Sequence, residues 1–138
     1  MPYLRATLLA MALAGCAVAP KSGMQCSTLT AYDGDTVKCD GVSLRPMGPG
    51  APYVSGFDTP EINQHAKCAG EHELGIAARD RMRELIRAPG LSIMDSGEVD
   101  RFDRPLVWLR LPGGGTAGEI LLAEGHARVW PDGAKFWC

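Results

Sequence analysis

Only one segment of this 138-residue chain has the apolar spacing of a long α-helix. Apolar side chains recur there every three or four positions while charged ones fill the opposite face, which indicates a helix with one buried side. The apolar positions are Leu74, Ala77, Ala78, Met82, Leu85 and Ile86. Pro89-Gly90 predicts the end of this helix. The rest of the fold must therefore be built from shorter elements.

Short β-branched segments flank this helix on both sides, punctuated by Asp-Gly, Gly and Pro turns. The five predicted strands are Ser27–Tyr32, Thr36–Cys39, Val42–Arg45, Leu91–Met94 and Leu106–Leu111. Tyr53–Phe57 is an extended run, and His126–Trp130 is a further strand candidate at the end of the domain. The spacing Thr116-x-x-Glu119 is a capping box and predicts a short second helix over Thr116–Glu124. This order predicts an α+β fold, mainly β: a five-stranded Greek-key barrel of the OB type with two helices.

The first two dozen residues resemble an export signal rather than part of the folded domain. An apolar run follows the short basic start, and it is shorter than the roughly 20 residues of a bilayer-spanning helix. It ends at Leu13-Ala14-Gly15-Cys16, which resembles the bacterial lipobox, in which the cysteine carries lipid. An ordinary signal cleaved nearby, such as after Ala19, is the alternative.

The expected organisation is therefore a signal over residues 1–16, a tether over 17–26 and one domain over 27–138. The expected location is outside the cytoplasm: in the periplasm, at the outer membrane, or secreted. Contact with a membrane is expected only through a lipid anchor at Cys16, and the domain is expected to be a monomer.

Four cysteines besides Cys16 constrain the domain further; they are Cys26, Cys39, Cys68 and Cys138. An even number in a small exported chain predicts two disulfides. Among three possible connectivities we favour Cys39–Cys68 with Cys26–Cys138.

Two other readings of these cysteines stay open at this point. A start of translation at Met24 would remove the signal and leave the thiols reduced. A zinc site could use His65, Cys68 and His72, although it lacks a fourth ligand and a CxxC pair.

The formal net charge of −2 at pH 7 limits how the chain can meet nucleic acid. Proteins that hold nucleic acid through bulk electrostatics are basic. Contact with nucleic acid must therefore be local or assisted by an ion. This requirement weighs more against a tight binding module than against an enzyme that needs only brief encounters.

Three acidic residues, Asp35, Asp58 and Glu61, are the candidates for chemistry. Pro60 has a fixed backbone angle and keeps Thr59 extended, so the carboxylates on either side are presented at defined angles. Hard oxygen ligands of this kind suit calcium or magnesium.

Four segments together resemble the staphylococcal nuclease (thermonuclease) family, in the order of that family and close to its spacing. Asp33–Lys38 (DGDTVK) is similar to the first family motif, and Asp58–Glu61 (DTPE) matches the second. Asp100–Arg104 resembles the third motif, and Glu119–Val129 is similar to the closing helix and last strand. The resemblance covers Ser27 to Trp130.

The resemblance implies an activity, a cofactor and a set of site residues. It implies calcium-dependent hydrolysis of phosphodiester bonds in DNA or RNA. Calcium would be held by the carboxylates of Asp35 and Asp58 and the carbonyl of Thr59. Glu61 would be the general base, and Arg104 would hold the phosphate. An in-line attack needs such an oriented water, a cation and fixed donors.

One departure from the family pattern concerns the second arginine of the site. The family has it five residues before the DTPE aspartate, where this chain has Tyr53. Arg45 lies in a similar strand context upstream, and residues 46–53 resemble an insertion, so Arg45 is the candidate for that role.

Two functions other than nuclease stay open. One is a catalytically weak or inactive OB module that binds nucleic acid or another anion. The other is a disulfide-stapled envelope lipoprotein, which leaves the acidic residues unexplained.

Overall fold

The computed structural model describes residues 23–49, 56–131, 133 and 136–138. The predicted signal, the lipobox cysteine Cys16 and the substituted position Tyr53 lie outside the described residues. Within the described ranges, no helix has the length and apolar content that a bilayer crossing requires.

Short strands dominate the fold. They are β1 (Leu29–Ala31), β2 (Val37–Cys39), β3 (Val42–Pro46), β4 (Gly56–Asp58), β5 (Ser92–Val99), β6 (Pro105–Arg110) and β7 (Arg128–Trp130). The two helices are α1 (Ala69–Leu85) and α2 (Ala117–Ala123), and a single 3-10 turn spans Asn63–His65. The predicted class, α+β and mainly sheet with two helices, is confirmed.

The strands form two sheets rather than one closed barrel. Five of them pair in the order β1-β2-β3-β6-β5, with β3 and β6 parallel and the other pairs antiparallel. Strands β4 and β7 form a separate antiparallel pair. Among the described residues, an isolated bridge from Met24, which precedes β1, to Ile93 of β5 is the only pairing between the two edges of this sheet. The five-stranded sheet is therefore mixed and open.

The hairpin between β2 and β3 organises the start of the domain. Asp40 and Gly41 both have positive φ, at 49° and 87°, which suits the tight turn of a two-residue hairpin. The carboxylate of Asp40 accepts hydrogen bonds from the N–H groups of Ser27 and Thr28, at 3.1 and 2.7 Å. The segment before β1 is thereby tied to this hairpin.

The disulfides pair Cys26 with Cys39 and Cys68 with Cys138. Two disulfides were expected, and that prediction is confirmed, but the favoured pairing was wrong. Antiparallel pairing of β1 and β2 carries Cys26 to the end of β2, beside Cys39, with 5.3 Å between the Cα atoms. Cys138 is then left to close onto Cys68, at the start of α1.

Helix α1 begins at Ala69, five residues before Leu74, which is the first apolar position of the predicted helix. Its buried face also differs from the predicted apolar face. The buried residues are Glu71, Gly75, Ala78, Met82 and Leu85, whereas Leu74 and Ala77 are exposed. A Cβ on Gly75 would lie 2.6 Å from the carbonyl oxygen of Glu61. The helix backbone thus packs directly on the loop after β4, a contact that apolar periodicity does not reveal.

The core lies between the sheet and the two helices. Its largest fully buried side chains are Phe57, Leu44, Met82, Leu109, Leu121, Val37 and Val107.

Helix α2 begins after the N-cap Thr116, and both hydrogen bonds of the predicted capping box with Glu119 are present. Strand β5 extends to Val99, five residues beyond its predicted end, because its polar half still pairs with β6 through an irregular register.

Candidate functional site

Asp35 lies in the turn between β1 and β2 and is buried. Its Oδ2 accepts a hydrogen bond from the N–H of Thr59 at 3.0 Å. The carboxylate of Asp33 shapes the turn by accepting from the N–H of Asp35 at 3.1 Å. Gly34 permits this approach, since a Cβ there would come within 2.7 Å of the Thr59 side chain. Asp35 and Thr59, which are 24 positions apart in the sequence, are thereby held side by side.

Arg45 reaches the same point from β3. Its Nη1 lies 2.7 Å from Oδ1 of Asp35, and its Nη2 donates to the carbonyl oxygen of Phe57. The guanidinium therefore links the first acidic motif to the strand that precedes the second. Whatever path the intervening chain takes, Arg45 is directed toward this site.

Asp58 ends β4, and its carboxylate is bound by a residue that the sequence did not indicate. Asp58 is paired with Arg128 across β4 and β7. The Nε and Nη2 atoms of Arg128 each lie 2.8 Å from Oδ2 of Asp58. A contact across 70 residues depends on strand register, and no local signal in the sequence predicts it.

Glu61 follows on the same loop, with an exposed side chain and an anchored backbone. The N–H of Glu61 donates to Oε1 of Glu71 at 3.2 Å, and the N–H of Lys67 donates to Oε2 of the same Glu71 at 2.6 Å. Glu71 is only 4% exposed. Sequence reasoning missed it, although Cys68-x-x-Glu71 has the spacing of a capping box, with Cys68 as the N-cap.

Arg104 is aimed at the site by the loop between β5 and β6. The carboxylate of Asp100 accepts from the N–H groups of Phe102 and Arg104, at 2.9 and 3.0 Å, and lies 2.7 Å from Nε of Arg104. Nη1 of the same guanidinium donates to Oγ1 of Thr36 at 3.0 Å. Thr36 is the neighbour of Asp35, so Arg104 reaches the first acidic motif.

Two clefts open on either side of Asp58. The larger, about 600 Å³, is called here the arginine cleft; its lining residues are Arg45, Met47, Gly56, Asp58, Asp100, Arg101, Phe102, Arg104, Leu106 and Trp130. The smaller, about 450 Å³, is called the carboxylate cleft; it is lined by Asp58, Thr59, Glu61, Lys67, Glu71, Arg128, Phe136, Trp137 and Cys138. Asp58 lines both clefts.

Negative charge is concentrated around Asp35. Burial, reinforced by Asp35, raises the pKa of Asp33 from 3.8 to about 7. Burial and the charge of Asp35 also raise the pKa of Asp58, against the opposing effect of Arg128. The pKa of Glu61 is raised by burial and by both Asp35 and Asp58. These carboxylates repel one another, and a cation placed among them would relieve that repulsion.

In its donor atoms, the predicted ligand set has the chemistry that suits a hard cation. It comprises two side chains, Asp35 and Asp58, with the carbonyl oxygen of Thr59, and all its atoms are oxygens, which calcium and magnesium prefer. No group of three or more His, Cys, Asp or Glu side chains among the described residues is arranged to hold a metal. A bound cation would therefore need backbone oxygen, water or substrate oxygens to complete its shell.

The zinc alternative fails on its ligands. Cys68 is joined to Cys138 in a disulfide, so it offers no thiolate. Nδ1 of His72 is already engaged, since it accepts a hydrogen bond from the N–H of Asn63 at 2.9 Å.

The described structure brings together all six residues predicted for the site: Asp35, Arg45, Asp58, Thr59, Glu61 and Arg104. No protein-family model and no curated protein matches the chain. The functional argument therefore rests on the geometry of these residues and on the sequence motifs that carry them.

Proposed function

We propose that this chain is an exported, calcium-dependent phosphodiesterase of the staphylococcal nuclease type, with an OB-type domain, that hydrolyses DNA or RNA. One observation carries the proposal. The acidic turn, the arginine of β3, the DTPE loop and the arginine after β5 are distant in sequence, yet they meet around one carboxylate, Asp35. Hydrogen bonds and ion pairs of 2.7–3.0 Å join Asp35 to Arg45 and Thr59, and Arg104 to Thr36.

Calcium would be held by the carboxylates of Asp35 and Asp58 and by the carbonyl oxygen of Thr59. When bound, the ion supplies positive charge to the phosphoryl oxygens of the substrate. The raised pKa of Asp58, caused by burial and by Asp35, supports this assignment because a cation would offset the same repulsion.

Glu61 is suited to act as the general base. Its backbone is fixed by Glu71, while its carboxylate faces the carboxylate cleft. Asp58 and Thr59, two of the predicted calcium ligands, line the same cleft, so Glu61 lies beside the proposed metal site. It takes a proton from water as the new oxygen–phosphorus bond forms. The opposite phosphorus–oxygen bond breaks, and the leaving oxygen is protonated by solvent.

Two guanidinium groups supply fixed donors for the charge that develops on phosphate. Arg45 and Arg104 both line the arginine cleft, and each is held in place by a carboxylate, Asp35 and Asp100 respectively. Donors that are already oriented need no reorganisation as the reaction proceeds, which is the main source of electrostatic catalysis.

Export is part of the proposal. The two disulfides are compatible with an oxidising compartment. We place the protein in the cell envelope or outside the cell, as a monomer, with lipid on Cys16 where the lipobox is used.

The test is cleavage of nucleic acid by the purified mature chain. Single- and double-stranded DNA and RNA are incubated with calcium and with a chelator, and Glu61→Gln is compared with wild type. Glu73→Gln, an exposed change on α1, is the matched control. Cleavage is expected to need calcium and Glu61 but not Glu73. An intact chain that binds calcium and nucleic acid without chelator-sensitive cleavage would instead be the OB-type binding module.

A further inference from the structure

Asp58, one of the two predicted calcium carboxylates, is already paired with a cation of the protein itself. Arg128 faces it across the strand pair β4 and β7, and both Nε and Nη2 of Arg128 lie 2.8 Å from Oδ2 of Asp58. The two side chains are 29% and 21% exposed, so solvent screens this ion pair less than a pair on the open surface. A guanidinium at this distance offsets negative charge that Asp58 would otherwise offer to a second cation.

The other predicted calcium carboxylate, Asp35, is held in a different way. Each of its oxygens has its own partner, because Oδ1 pairs with Arg45 and Oδ2 accepts the N–H of Thr59. Arg45 also donates to the carbonyl oxygens of Asp35 and Phe57, so three acceptors fix its guanidinium. Arg45 is thus a fixed part of the arginine cleft, whereas Arg128 meets Asp58 through a single carboxylate oxygen.

Arg128 has a second partner that does not depend on Asp58. Its guanidinium lies 5.6 Å from the centre of the Trp137 ring, within the range of a cation–π interaction. Trp137 precedes Cys138, and the disulfide from Cys138 to Cys68 ties this ring to the start of α1. Arg128 can therefore release Asp58 and still keep a favourable contact in the carboxylate cleft.

We propose that Arg128 competes with calcium for Asp58 and thereby sets how much calcium is needed to load the site. This rests on the proposed function and specifies how its metal site is regulated. A divalent ion is repelled by a guanidinium beside its ligand and must also displace the ion pair, so Arg128 weakens calcium binding. The charge on the ligands is one factor that sets the affinity of a calcium site, and the weak sites are those of extracellular modules. A site tuned in this way suits an exported protein.

The test is the calcium affinity of the full mature chain, measured by isothermal titration calorimetry without nucleic acid. Arg128→Gln keeps a hydrogen-bond donor for Asp58 but removes the charge, and it should bind calcium about tenfold more tightly than wild type. Arg128→Ala should bind more tightly as well, and a gain of affinity cannot come from a variant that fails to fold. Arg128→Lys keeps the charge but not the paired N–H donors, so its affinity should lie closer to wild type than to Arg128→Gln.

Lys67→Gln is the matched control. Lys67 is an exposed cation that lines the same cleft, and the substitution leaves its backbone N–H, which donates to Glu71, in place. Its loss should change calcium affinity far less than Arg128→Gln does, because solvent and salt screen a charge that makes no direct contact with the ligand. In an Asp58→Asn background the gain from Arg128→Gln should largely disappear, since the two residues act through one contact.

Three results would overturn the competition. Equal calcium affinity in wild type and Arg128→Gln is the first, and weaker binding in Arg128→Gln, which would make Arg128 a support for the ligand, is the second. An equal gain in Lys67→Gln is the third, because the effect would then come from the general charge of the cleft.

The outcomes also separate this inference from the proposed function. Equal affinities with calcium bound through Asp58 overturn the competition alone and leave the metal site in place. Tighter binding in Arg128→Gln supports the competition even where the wild-type chain cleaves no nucleic acid and the nuclease proposal fails. If neither wild type nor Arg128→Gln binds calcium, the metal site and the competition are overturned together.

Discussion

The two clefts beside Asp58 are built by different means. In the arginine cleft, Arg45 lies within β3, and Arg104 ends the loop between β5 and β6, immediately before β6. The carboxylate cleft takes Asp58 and Arg128 from the paired strands β4 and β7, and the rest of it from the loop after β4, the first turn of α1 and the end of the chain. Those remaining parts are held by a buried carboxylate, Glu71, and by a disulfide.

This difference suggests a division of labour. Groups on paired strands can be held rigidly, which suits donors that must be ready for the charge on phosphate. Groups on a stapled loop have more freedom to adjust to a substrate, which fits the role proposed for Glu61. Substitutions in the two clefts should therefore differ in what they damage, and the following predictions test that contrast.

The largest effect is expected in the carboxylate cleft, from Glu61→Gln. Glutamine keeps the shape and hydrogen bonds of Glu61 but cannot take a proton from water. The rate of cleavage should fall by about a hundredfold to ten-thousandfold. Single-turnover cleavage with calcium measures this, and Glu73→Gln should retain the wild-type rate. A loss below tenfold would remove Glu61 from the chemistry.

In the arginine cleft, Arg45→Ala is the informative change. It removes a donor toward phosphate and leaves Asp35 without its ion-pair partner. Cleavage should slow by about a hundredfold to a thousandfold, as for the loss of a fixed donor, and Arg104→Ala should cost a similar factor.

Arg87→Ala, an exposed change near the end of α1, is the control and should leave cleavage intact. A nearly silent Arg45→Ala with a slow wild type would mean that the inserted segment has displaced this arginine from its role. The arginine cleft would then depend on Arg104 alone.

The sequence predicted which residues lie near one another better than how they are held. Short motifs identified Asp35, Asp58, Glu61 and Arg104 because each motif keeps its residues within a few positions. The capping box of α2 was predicted correctly for the same reason. Local spacing is visible in a sequence, and the interactions that it fixes can be predicted from it.

Long-range pairing was not visible. Arg128 reaches Asp58 only through the register of β4 and β7. The disulfide pairing likewise depends on which cysteines the folded chain brings close together. The buried face of α1 was misjudged because Gly75 packs its backbone on a loop, which needs no apolar side chain. The barrel was expected to close, but β1 and β5 are the two edges of the sheet, and one bridge before β1 joins them in the described chain.

The carboxylates of Asp33 and Asp35 should make calcium binding depend on pH. The pKa of Asp33 is raised from 3.8 to about 7 by burial and Asp35, so the folded state holds its proton more tightly than the unfolded state does. This contribution to stability is present below about pH 4 and is lost as pH rises toward 7. Calcium acts in the opposite direction, because it favours the ionised carboxylates.

The calcium-induced rise in Tm should therefore grow from pH 5 to pH 7.5 and level off above it. Thermal unfolding with calcium and with chelator at each pH measures this, and where one proton is displaced calcium affinity changes about tenfold per pH unit. Asp33→Asn should flatten the dependence. If the calcium-induced rise in Tm depends on pH equally in wild type and in Asp33→Asn, the displaced proton comes from another group.

The smallest effect is expected from Glu71→Gln, which tests how the carboxylate cleft is held. Glu71 is buried and accepts the N–H groups of Glu61 and Lys67, one on each oxygen. Glutamine can accept only one of them and turns an amide N–H₂ toward the other, which leaves buried donors facing each other. The cost should be about 1–3 kcal/mol of unfolding free energy, measured in urea, while Glu73→Gln should cost under about 0.5 kcal/mol. At a temperature where both variants are fully folded, Glu71→Gln should also lower kcat several-fold, because Glu61 loses its backbone anchor. A stability loss without a fall in kcat would make Glu71 a support for α1 alone, and the loop would then hold Glu61 by its proline and its contact with Gly75.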